Sequence, residues 1–205
     1  MRQFVWMLSL IGLVTTTVPA AEEGFTPLFN GKDLTGWEGR EDLWKVADGM
    51  ISGVSPGLKQ NHFLVTKDDF SDFELRFEVR LQNPKENSGV QFRSQRLENS
   101  TEMTGYQADI GPGYWGSLYD ESRRNKILAA AKPEVIKQTL KEADWNQYVV
   151  RAEGKQITLS INGVTTIDYT EPDDAIPQKG KFGLQVHAGG PFQIDFRNVR
   201  IKALK

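Results

Sequence analysis

Residues 73–81 read Phe-Glu-Leu-Arg-Phe-Glu-Val-Arg-Leu, with an apolar side chain at every odd-numbered position and a charged one at every even-numbered position. Successive side chains of a β-strand point to opposite faces of its sheet. The stretch therefore predicts a strand that buries one face in a core and leaves the other in water.

The same two-residue period recurs through the rest of the chain. It is found in residues 148–152, 156–161, 164–169, 182–187, 192–196 and 199–201. Asn162-Gly163 separates two of these segments, and this dipeptide is the strongest short-range signal for a β-hairpin. Short strands divided by Gly, Asn and Pro turns predict an all-β fold of two packed sheets.

The segment 121–142 departs from this pattern. Its apolar residues fall in short groups, Ile127-Leu128 and Val135-Ile136 with Leu140, on either side of Pro133. This spacing predicts one or two short helices inserted between strands. Because no linker or repeat interrupts the chain, we expect residues 24–205 to form a single β-sandwich domain.

The first 20 residues have the layout of a secretory signal peptide. Arg2 is followed by an apolar run, Phe4 to Val14, and then by the small residues of Val18-Pro19-Ala20. The run is shorter than the roughly 20 apolar residues that cross a bilayer. We therefore predict export, to the periplasm or to the exterior, with residues 1–20 removed.

Composition excludes several classes of function. The chain has 27 acidic and 25 basic residues and a formal net charge of −2, with no basic cluster that favours nucleic acid. It has no cysteine, which excludes disulfides, thiolate metal sites and a cysteine nucleophile. With only two histidines and no HExxH, GxGxxG or GxSxG motif, hydrolases and nucleotide-binding proteins of the common types are also disfavoured.

Two neighbouring alternating segments carry polar side chains suited to a sugar. In 87–94, Gln91 and Arg93 are predicted to share one face, and in 105–110 Gln107 and Asp109 do the same. If the segments pair, the four side chains project from one surface. Amide, guanidinium and carboxylate groups supply the paired donors and acceptors that sugar hydroxyls need.

Residues 114–124 add aromatic and ionisable groups. Tyr114 and Trp115 are candidates for stacking on a sugar ring, and Asp120 or Glu121 for an acid or base. Arg123 and Arg124 are candidates for stabilising an oxyanion. His187 follows another alternating segment on the same side as Gln185, where a group that titrates near neutral pH could transfer a proton.

The chain resembles the 3-keto-disaccharide hydrolase family along nearly all of residues 25–202. The resemblance lies in "FTPLFNGKDLTGW" at 25–37, "DFELRFEVRL" at 72–81, "NSGVQFRS" at 87–94, "GYQADIG" at 105–111 and "KFGLQVHAGG" at 181–190. It implies a concanavalin A-like jelly roll with a concave sheet that carries the site. It also implies action on glycosides whose sugar is oxidised at C3.

Carbonyl chemistry then suggests a mechanism for such a substrate. A C3 ketone acidifies the proton on C2, a base removes it, and the group on C1 leaves by elimination before water adds. The candidates for the base are His187, Asp109 and Glu121. Arg93 with Arg123 or Arg124 would hold the enolate oxygen.

The remaining roles complete the predicted site. Tyr119 or Tyr106 would protonate the leaving oxygen. A divalent metal held by His187 with Asp109 or Glu121 is an alternative electrophile. The predicted substrate-binding residues are Asn87, Gln91, Tyr106, Gln107, Trp115, Arg123, Arg124 and Gln185.

Three other functions fit parts of the sequence. A non-catalytic carbohydrate-binding jelly-roll module would have the same sandwich, although ionisable residues are more numerous here than such a module needs. An interaction domain would require a large exposed apolar patch. An ordinary glycosidase would need two carboxylates roughly 5–10 Å apart across the sugar.

Overall fold

The computed structural model describes residues 22–205, so the predicted signal peptide lies outside the described residues. The described chain forms strands β1 to β15 and one helix, α1, arranged as two antiparallel sheets. In this part of the chain no helix is long and apolar enough to span a membrane.

The first sheet, called here the back sheet, is centred on residues 73–81. From edge to edge its strands are β13 (Val164–Thr170), β12 (Gln156–Ile161), β11 (Asn146–Glu153), β6 (Phe73–Leu81), β15 (Gly189–Ala203), β4 (Met50–Leu58) and β3 (Trp44–Ala47). A two-residue strand, β1 (Thr26–Pro27), pairs with the far part of β15.

The second sheet, called the front sheet, packs against the first. Its strands run in the order β10 (Lys126–Ala129), β9 (Leu118–Glu121), β8 (Met103–Ile110), β7 (Ser88–Arg96), β14 (Lys181–Val186), β5 (His62–Thr66) and β2 (Trp37–Glu38). The fold is thus an all-β two-sheet jelly roll, as the alternating segments predict.

The layer between the sheets is built by the alternation itself. Along β6 the five apolar side chains are buried and the four charged ones are half-buried. Across the layer, Phe73 of the back sheet contacts the rings of Phe92 and Phe182 of the front sheet edge-on, at centroid distances of 6.2 and 4.7 Å. Aromatic pairs in this geometry add to the burial of apolar area, which holds the two sheets together.

The local predictions are largely confirmed. β12 and β13 pair through the Asn162-Gly163 turn, whose two residues both have positive φ, as a type I′ turn requires. The segments predicted at 192–196 and 199–201 are one continuous strand, because a left-handed residue, Asn198, absorbs a bulge where the register shifts.

The insertion contains a short helix, as predicted, and in addition a strand. The segment 121–142 contains a strand, β10, and only one short helix, α1 (Pro133–Thr139). Pro133 begins that helix rather than separating two, which fits the preference of proline for the first helical turn, where its missing N–H costs nothing.

A bulge in the β7–β8 hairpin gives the front sheet its unusual shape. The register shifts between Phe92 and Gln95, where Arg93 adopts a φ of +46°. Beyond this bulge the hairpin bends over the outer face of the sheet, so that Met103 packs with Phe63 and Val65 in a second apolar cluster. The outer face of the front sheet is therefore partly covered by its own hairpin.

Candidate functional site

A cleft of about 240 Å³ lies on the outer face of the front sheet. Its lining residues come from β8, β9, the loop between them and the segments that flank β5, β7 and β14. They are Asn61, Asn87, Gln107, Asp109, Tyr114, Tyr119, Glu121 and His187. Six of these were predicted as site residues from the sequence: Asn87, Gln107, Asp109, Tyr119, Glu121 and His187. Asn61 was not predicted from the sequence, and Tyr114 was a candidate only as part of the aromatic stretch.

Strand pairing places the central residues of the cleft. Gln107 of β8 lies directly opposite Tyr119 of β9, and Gly105 lies opposite Glu121. Asp109 lies on the same face as Gln107, one strand repeat further along β8. The three ionisable side chains, Asp109, Tyr119 and Glu121, therefore follow one another along two neighbouring strands.

Asp109 is the most perturbed acid of the cleft. Only 4% of the residue is exposed. Burial raises the pKa of Asp109 to about 7, the negative charge of Glu121 adds to the rise, and the hydrogen bond from Gln107 opposes it. A carboxyl group with a pKa near 7 can change its protonation state at neutral pH, which suits a general acid or base.

A chain of amide hydrogen bonds orients this carboxyl group. Gln91 Nε2 donates to Gln107 Oε1 at 3.0 Å, and Gln107 Nε2 donates to Asp109 Oδ1 at 2.8 Å. Ser94 Oγ donates to Gln91 Oε1 at 2.6 Å, so the direction of both amides is set. Gln91 was predicted to bind substrate, but it is fully buried. Its contribution to the site is the hydrogen bond that orients Gln107.

Gly89 makes room for this chain. It pairs with Asp109 across the two strands, and a Cβ at position 89 would lie 2.4 Å from Cδ of Gln107. The side chain of Gln107 therefore lies across the glycine, which lets its amide reach Asp109. Any larger residue at position 89 would displace that amide.

Two further acids of the cleft are also held toward their neutral forms. Burial and the nearby Glu102 carboxylate raise the pKa of Glu121. Burial, Glu121 and Asp109 raise the pKa of Tyr119. Among the described residues that line the cleft none is a lysine or arginine, so no lining cation offsets these effects.

His187 enters the cleft with a defined tautomer. Its Nδ1 lies 2.5 Å from the carbonyl oxygen of Ala188, and since a carbonyl only accepts, Nδ1 must carry the hydrogen. In the neutral ring Nε2 then keeps its lone pair and can accept a proton.

Asn61 braces the other side of the histidine turn. Its Oδ1 accepts from the backbone N–H of Ala188 at 2.8 Å, and its Nδ2 donates to Glu102 at 3.1 Å. Glu102 belongs to the bent β7–β8 hairpin, so these bonds fasten the hairpin to the His187 turn.

Two amides near the cleft have polar atoms without a partner in the described chain. They are Oδ1 of Asn87, which lines the cleft, and both amide atoms of Gln185. Gln185 was predicted to bind substrate, but it is fully buried and does not line the cleft. Leaving a buried polar group unsatisfied costs about 1–3 kcal/mol. These atoms therefore lower the free energy of unfolding.

Arg93 is a correction to the predicted site. The two-residue period put it on the same face as Gln91, but the left-handed bulge at Arg93 redirects its side chain. Its guanidinium instead bonds the carbonyls of Ser71 and Gly154 at 2.8 and 2.6 Å and the carboxylate of Asp72 at 2.7 Å. Arg93 therefore fastens the front sheet to the back sheet and does not reach the cleft.

Tyr106, Arg123 and Arg124 also lie outside the cleft. Tyr106 faces the core, where its hydroxyl donates to Glu171 at 2.7 Å. Arg124 binds Glu171 at 2.8 Å and also Asp120, while Arg123 binds Asp120 at 2.7 Å. These five residues form an ion-pair network between the two sheets, which we call the interlayer network.

Trp115 is likewise directed elsewhere. It is 7% exposed, belongs to the core and lines a separate cavity beyond the cleft. Its neighbour Tyr114, by contrast, is 44% exposed and lines the cleft. The only sequence signal for Tyr114 was its place in the aromatic stretch, and nothing local distinguished it from Trp115.

The predicted alternative of a divalent metal finds no prepared ligand set. Within residues 22–205 no group of three or more His, Asp or Glu side chains is arranged to hold a metal ion. A metal held by His187 with Asp109 or Glu121 therefore stays a prediction.

The chain also matches a known family in sequence. Residues 24–202 match the model of the 3-keto-alpha-glucoside-1,2-lyase-like domain. The chain belongs to this family. The match covers nearly every described residue, including all strands of both sheets except the last residue of β15.

Solved structures share the fold at low sequence identity. A predicted glycosyl hydrolase from Parabacteroides distasonis ATCC 8503 is 22% identical, with a TM-score of 0.69 over 89% of this chain and 95% of that one. The carbohydrate-binding module CBM66 from Bacillus subtilis is 19% identical, with a TM-score of 0.64 over 82% of this chain and 96% of that one. No curated protein matches the chain significantly. The fold is therefore one that both glycosyl hydrolase-like and carbohydrate-binding proteins adopt.

Proposed function

We propose that this domain cleaves glycosides whose sugar carries a ketone at C3, by removing the C2 proton and eliminating the group on C1. The observation that carries the proposal is Asp109, a buried carboxyl group with a pKa of about 7, oriented by Gln107 at the floor of a cleft. Family membership supports the same reaction class.

Asp109 is assigned as the base. Its Oδ1 is occupied by Gln107, which leaves Oδ2 for the substrate. A base works best when its pKa lies near the working pH, and Asp109 meets this condition through burial. His187, with Nε2 free, is the alternative base.

The electron balance of the reaction assigns the remaining groups. The C2–H bond breaks, its electron pair forms the C1=C2 bond through an enolate at the C3 oxygen, and the C1–O bond breaks. The leaving oxygen takes a proton, for which the neutral Tyr119 hydroxyl is available, since burial raises the pKa of Tyr119. Water can then add to the resulting double bond.

Neutral donors would stabilise the enolate in this cleft. The arginines expected for that role are paired elsewhere, as described above. The uncharged donors on residues that line the cleft are the Tyr119 hydroxyl and the side-chain NH₂ group of Asn87. Donors fixed in a site of restricted water stabilise developing negative charge without reorganisation.

We also propose that the protein works outside the cytoplasm, in the periplasm or beyond the cell. This rests on the signal-like layout of residues 1–20. Expression of the full chain, followed by fractionation and N-terminal sequencing, tests it: an intact N-terminus in the cytoplasm would contradict export.

The activity is tested with a 3-keto-α-glucoside and its unoxidised parent, by following release of the group on C1. We expect turnover of the keto-glycoside only. Asp109→Asn should lower kcat by roughly 10²–10⁴-fold, the usual contribution of a general base. Asp168→Asn, which changes an exposed carboxylate of the back sheet, is the matched control and should be unaffected.

The other outcomes of this experiment are equally informative. Full activity in Asp109→Asn with loss in His187→Gln would transfer the base to His187 and overturn the assignment. Binding of both glycosides without turnover of either would favour a carbohydrate-binding module over an enzyme.

A further inference from the structure

A second and larger cavity, of about 350 Å³, opens beside α1. Its lining combines one indole ring, four aliphatic side chains and two charged residues, and consists of Gly113, Trp115, Ala131, Pro133, Ile136, Lys137, Leu140 and Glu142. None of these side chains lines the cleft that contains Asp109.

One short loop, residues 111–116, contributes lining residues to both this cavity and the cleft. Successive residues of the loop face the two sides, since Tyr114 lines the cleft while Gly113 and Trp115 line the cavity. The loop is held by hydrogen bonds from Trp115 N to Gly111 O at 2.9 Å and from Gly116 N to Asp109 O at 3.2 Å. The loop therefore borders both spaces and is hydrogen-bonded to the backbone of Asp109.

The helix closes the opposite side of the cavity. A Cβ at Gly116 would lie 3.1 Å from Cδ1 of Ile136, so α1 packs directly against the loop. Because Gly116 has a φ of +73°, the loop reaches this position through a left-handed glycine that leaves no side chain in the way.

The lining chemistry selects the kind of ligand. A sugar ring presents several hydroxyls, each of which needs a partner when it is buried, and only Lys137 and Glu142 supply charged side chains here. Neither of them forms an ion pair within residues 22–205. A flat apolar ring with one or two hydroxyls matches this surface better, as ligand sites are mainly apolar with a few polar groups that fix orientation.

We infer that this cavity holds an aromatic aglycone, the phenolic group that leaves from C1 of the keto-sugar. The inference rests on the proposed function, since it makes the cleft the sugar subsite and the cavity the leaving-group subsite across residues 111–116. In the elimination the phenolic oxygen receives the electron pair of the C1–O bond and a proton. Lys137 or Glu142 would contact a further hydroxyl of the ring.

Binding of the leaving group alone tests the cavity without any turnover. The probe is 4-nitrophenol, titrated while tryptophan emission is followed. We expect saturable quenching that is lost in Trp115→Phe and weakened at least tenfold in Ala131→Phe, which fills the cavity. Gln138→Ala, an exposed position of α1 outside the lining, is the control and should bind normally.

Turnover then tests selectivity. We expect kcat/KM for 4-nitrophenyl 3-keto-α-glucoside to exceed that for the methyl glycoside, and Ala131→Phe to reduce the aryl value about tenfold while leaving the methyl value unchanged. Thermal melting of each variant checks folding. Leu140→Ala provides a second, less bulky change in the same lining and should weaken 4-nitrophenol binding.

The outcomes separate the two proposals. Specific quenching without turnover of any keto-glycoside would support the cavity and overturn the proposed reaction. Turnover with equal effects of Ala131→Phe on both glycosides, or quenching that survives Trp115→Phe, would overturn the aglycone subsite and leave the proposed reaction standing.

Discussion

The cleft and the interlayer network are two clusters of buried acids that the fold treats in opposite ways. In the interlayer network the carboxylate of Glu171 accepts bonds from Arg124 and Tyr106, which outweigh burial and lower its pKa to about 2. In the cleft, Asp109 has one amide donor and no cation, and its pKa rises to about 7. Two carboxyl groups that are both almost inaccessible to solvent thus have pKa shifts of opposite sign.

The difference separates groups that hold the fold together from groups left free to react. A buried charge that is fully paired stays ionised and contributes little chemistry at neutral pH. A buried acid without a cation keeps a proton that it can exchange. Residues 114–124 look uniformly functional in the sequence, yet their arginines belong to the first kind and Glu121 to the second.

The largest effect is expected from breaking the interlayer network. Glu171→Ala removes an acceptor that Arg124 and Tyr106 share, so that the buried Tyr106 hydroxyl loses its partner and Arg124 keeps only Asp120. We expect the free energy of unfolding to fall by about 3–5 kcal/mol, as for other buried pairs that lose one member. Urea unfolding measures it, with Glu153→Ala as the control, because the Arg151–Glu153 pair is exposed and should cost below ~1 kcal/mol. If both variants lost a similar free energy of unfolding, the interlayer network would not be more stabilising than an exposed ion pair.

The cleft should show the opposite response to losing its acid. The pKa of Asp109 is higher in the folded chain than its usual 3.8, so the native state holds its proton more tightly and stability falls as pH rises from about 4 to about 7. Asp109→Asn carries no such proton. Its stability relative to the wild type should rise over this range by on the order of 4 kcal/mol at most.

Unfolding curves at pH 4, 6 and 8 measure this gain. It should be complete above pH 7, where the wild-type carboxylate is ionised, and absent near pH 4. A variant that is less stable than the wild type at pH 8 would show that Asp109 is stabilised as an anion, contrary to the comparison.

Displacing the amide that orients Asp109 should have a smaller effect, on activity. In Gly89→Ala the new Cβ collides with Gln107, and φ at this position is not in the left-handed region, so backbone strain is not expected. Loss of the Gln107 bond should raise the pKa of Asp109 further and lower kcat roughly tenfold through misorientation. The limb of the pH–rate profile that reports Asp109 should move to higher pH.

A second glycine serves as the control for this substitution. The nearest atom to a Cβ at Gly190 is 3.7 Å away, so Gly190→Ala should leave the profile unchanged. An unshifted profile in Gly89→Ala would mean that Gln107 does not control the ionisation of Asp109.

The smallest effect is expected at Gln185, whose buried amide has no hydrogen-bond partner in the described chain. Gln185→Leu replaces a buried group without bonds by an apolar one, and should raise the free energy of unfolding by about 1 kcal/mol. Gln91→Leu, at a buried amide that is bonded on both sides, should lower it by about 1 kcal/mol or more. Thermal melting compares the two, and a change of the same sign in both would remove the distinction between them.

The predicted strands were confirmed more completely than the predicted site residues, and the difference has a physical reason. A strand pattern such as that of residues 73–81 depends only on neighbouring positions, so the fold could be read locally. The site depended on extending one period across 87–94, and a single left-handed residue, Arg93, ended that period. The residues before the bulge, and those of the regular strand β8, kept the predicted face.

The amino-acid sequence by itself determined the two sheets, the hairpin at Asn162-Gly163 and the face on which Gln107 and Asp109 lie, because these follow from side-chain alternation and turn chemistry. Only the tertiary structure decided which charges are paired. Arg124 meets Glu171 across 47 residues of chain, and Asp109 meets no cation at all in the described cleft. Such contacts depend on how the sheets pack and bend, so the chemical character of each buried acid emerges only in the folded chain.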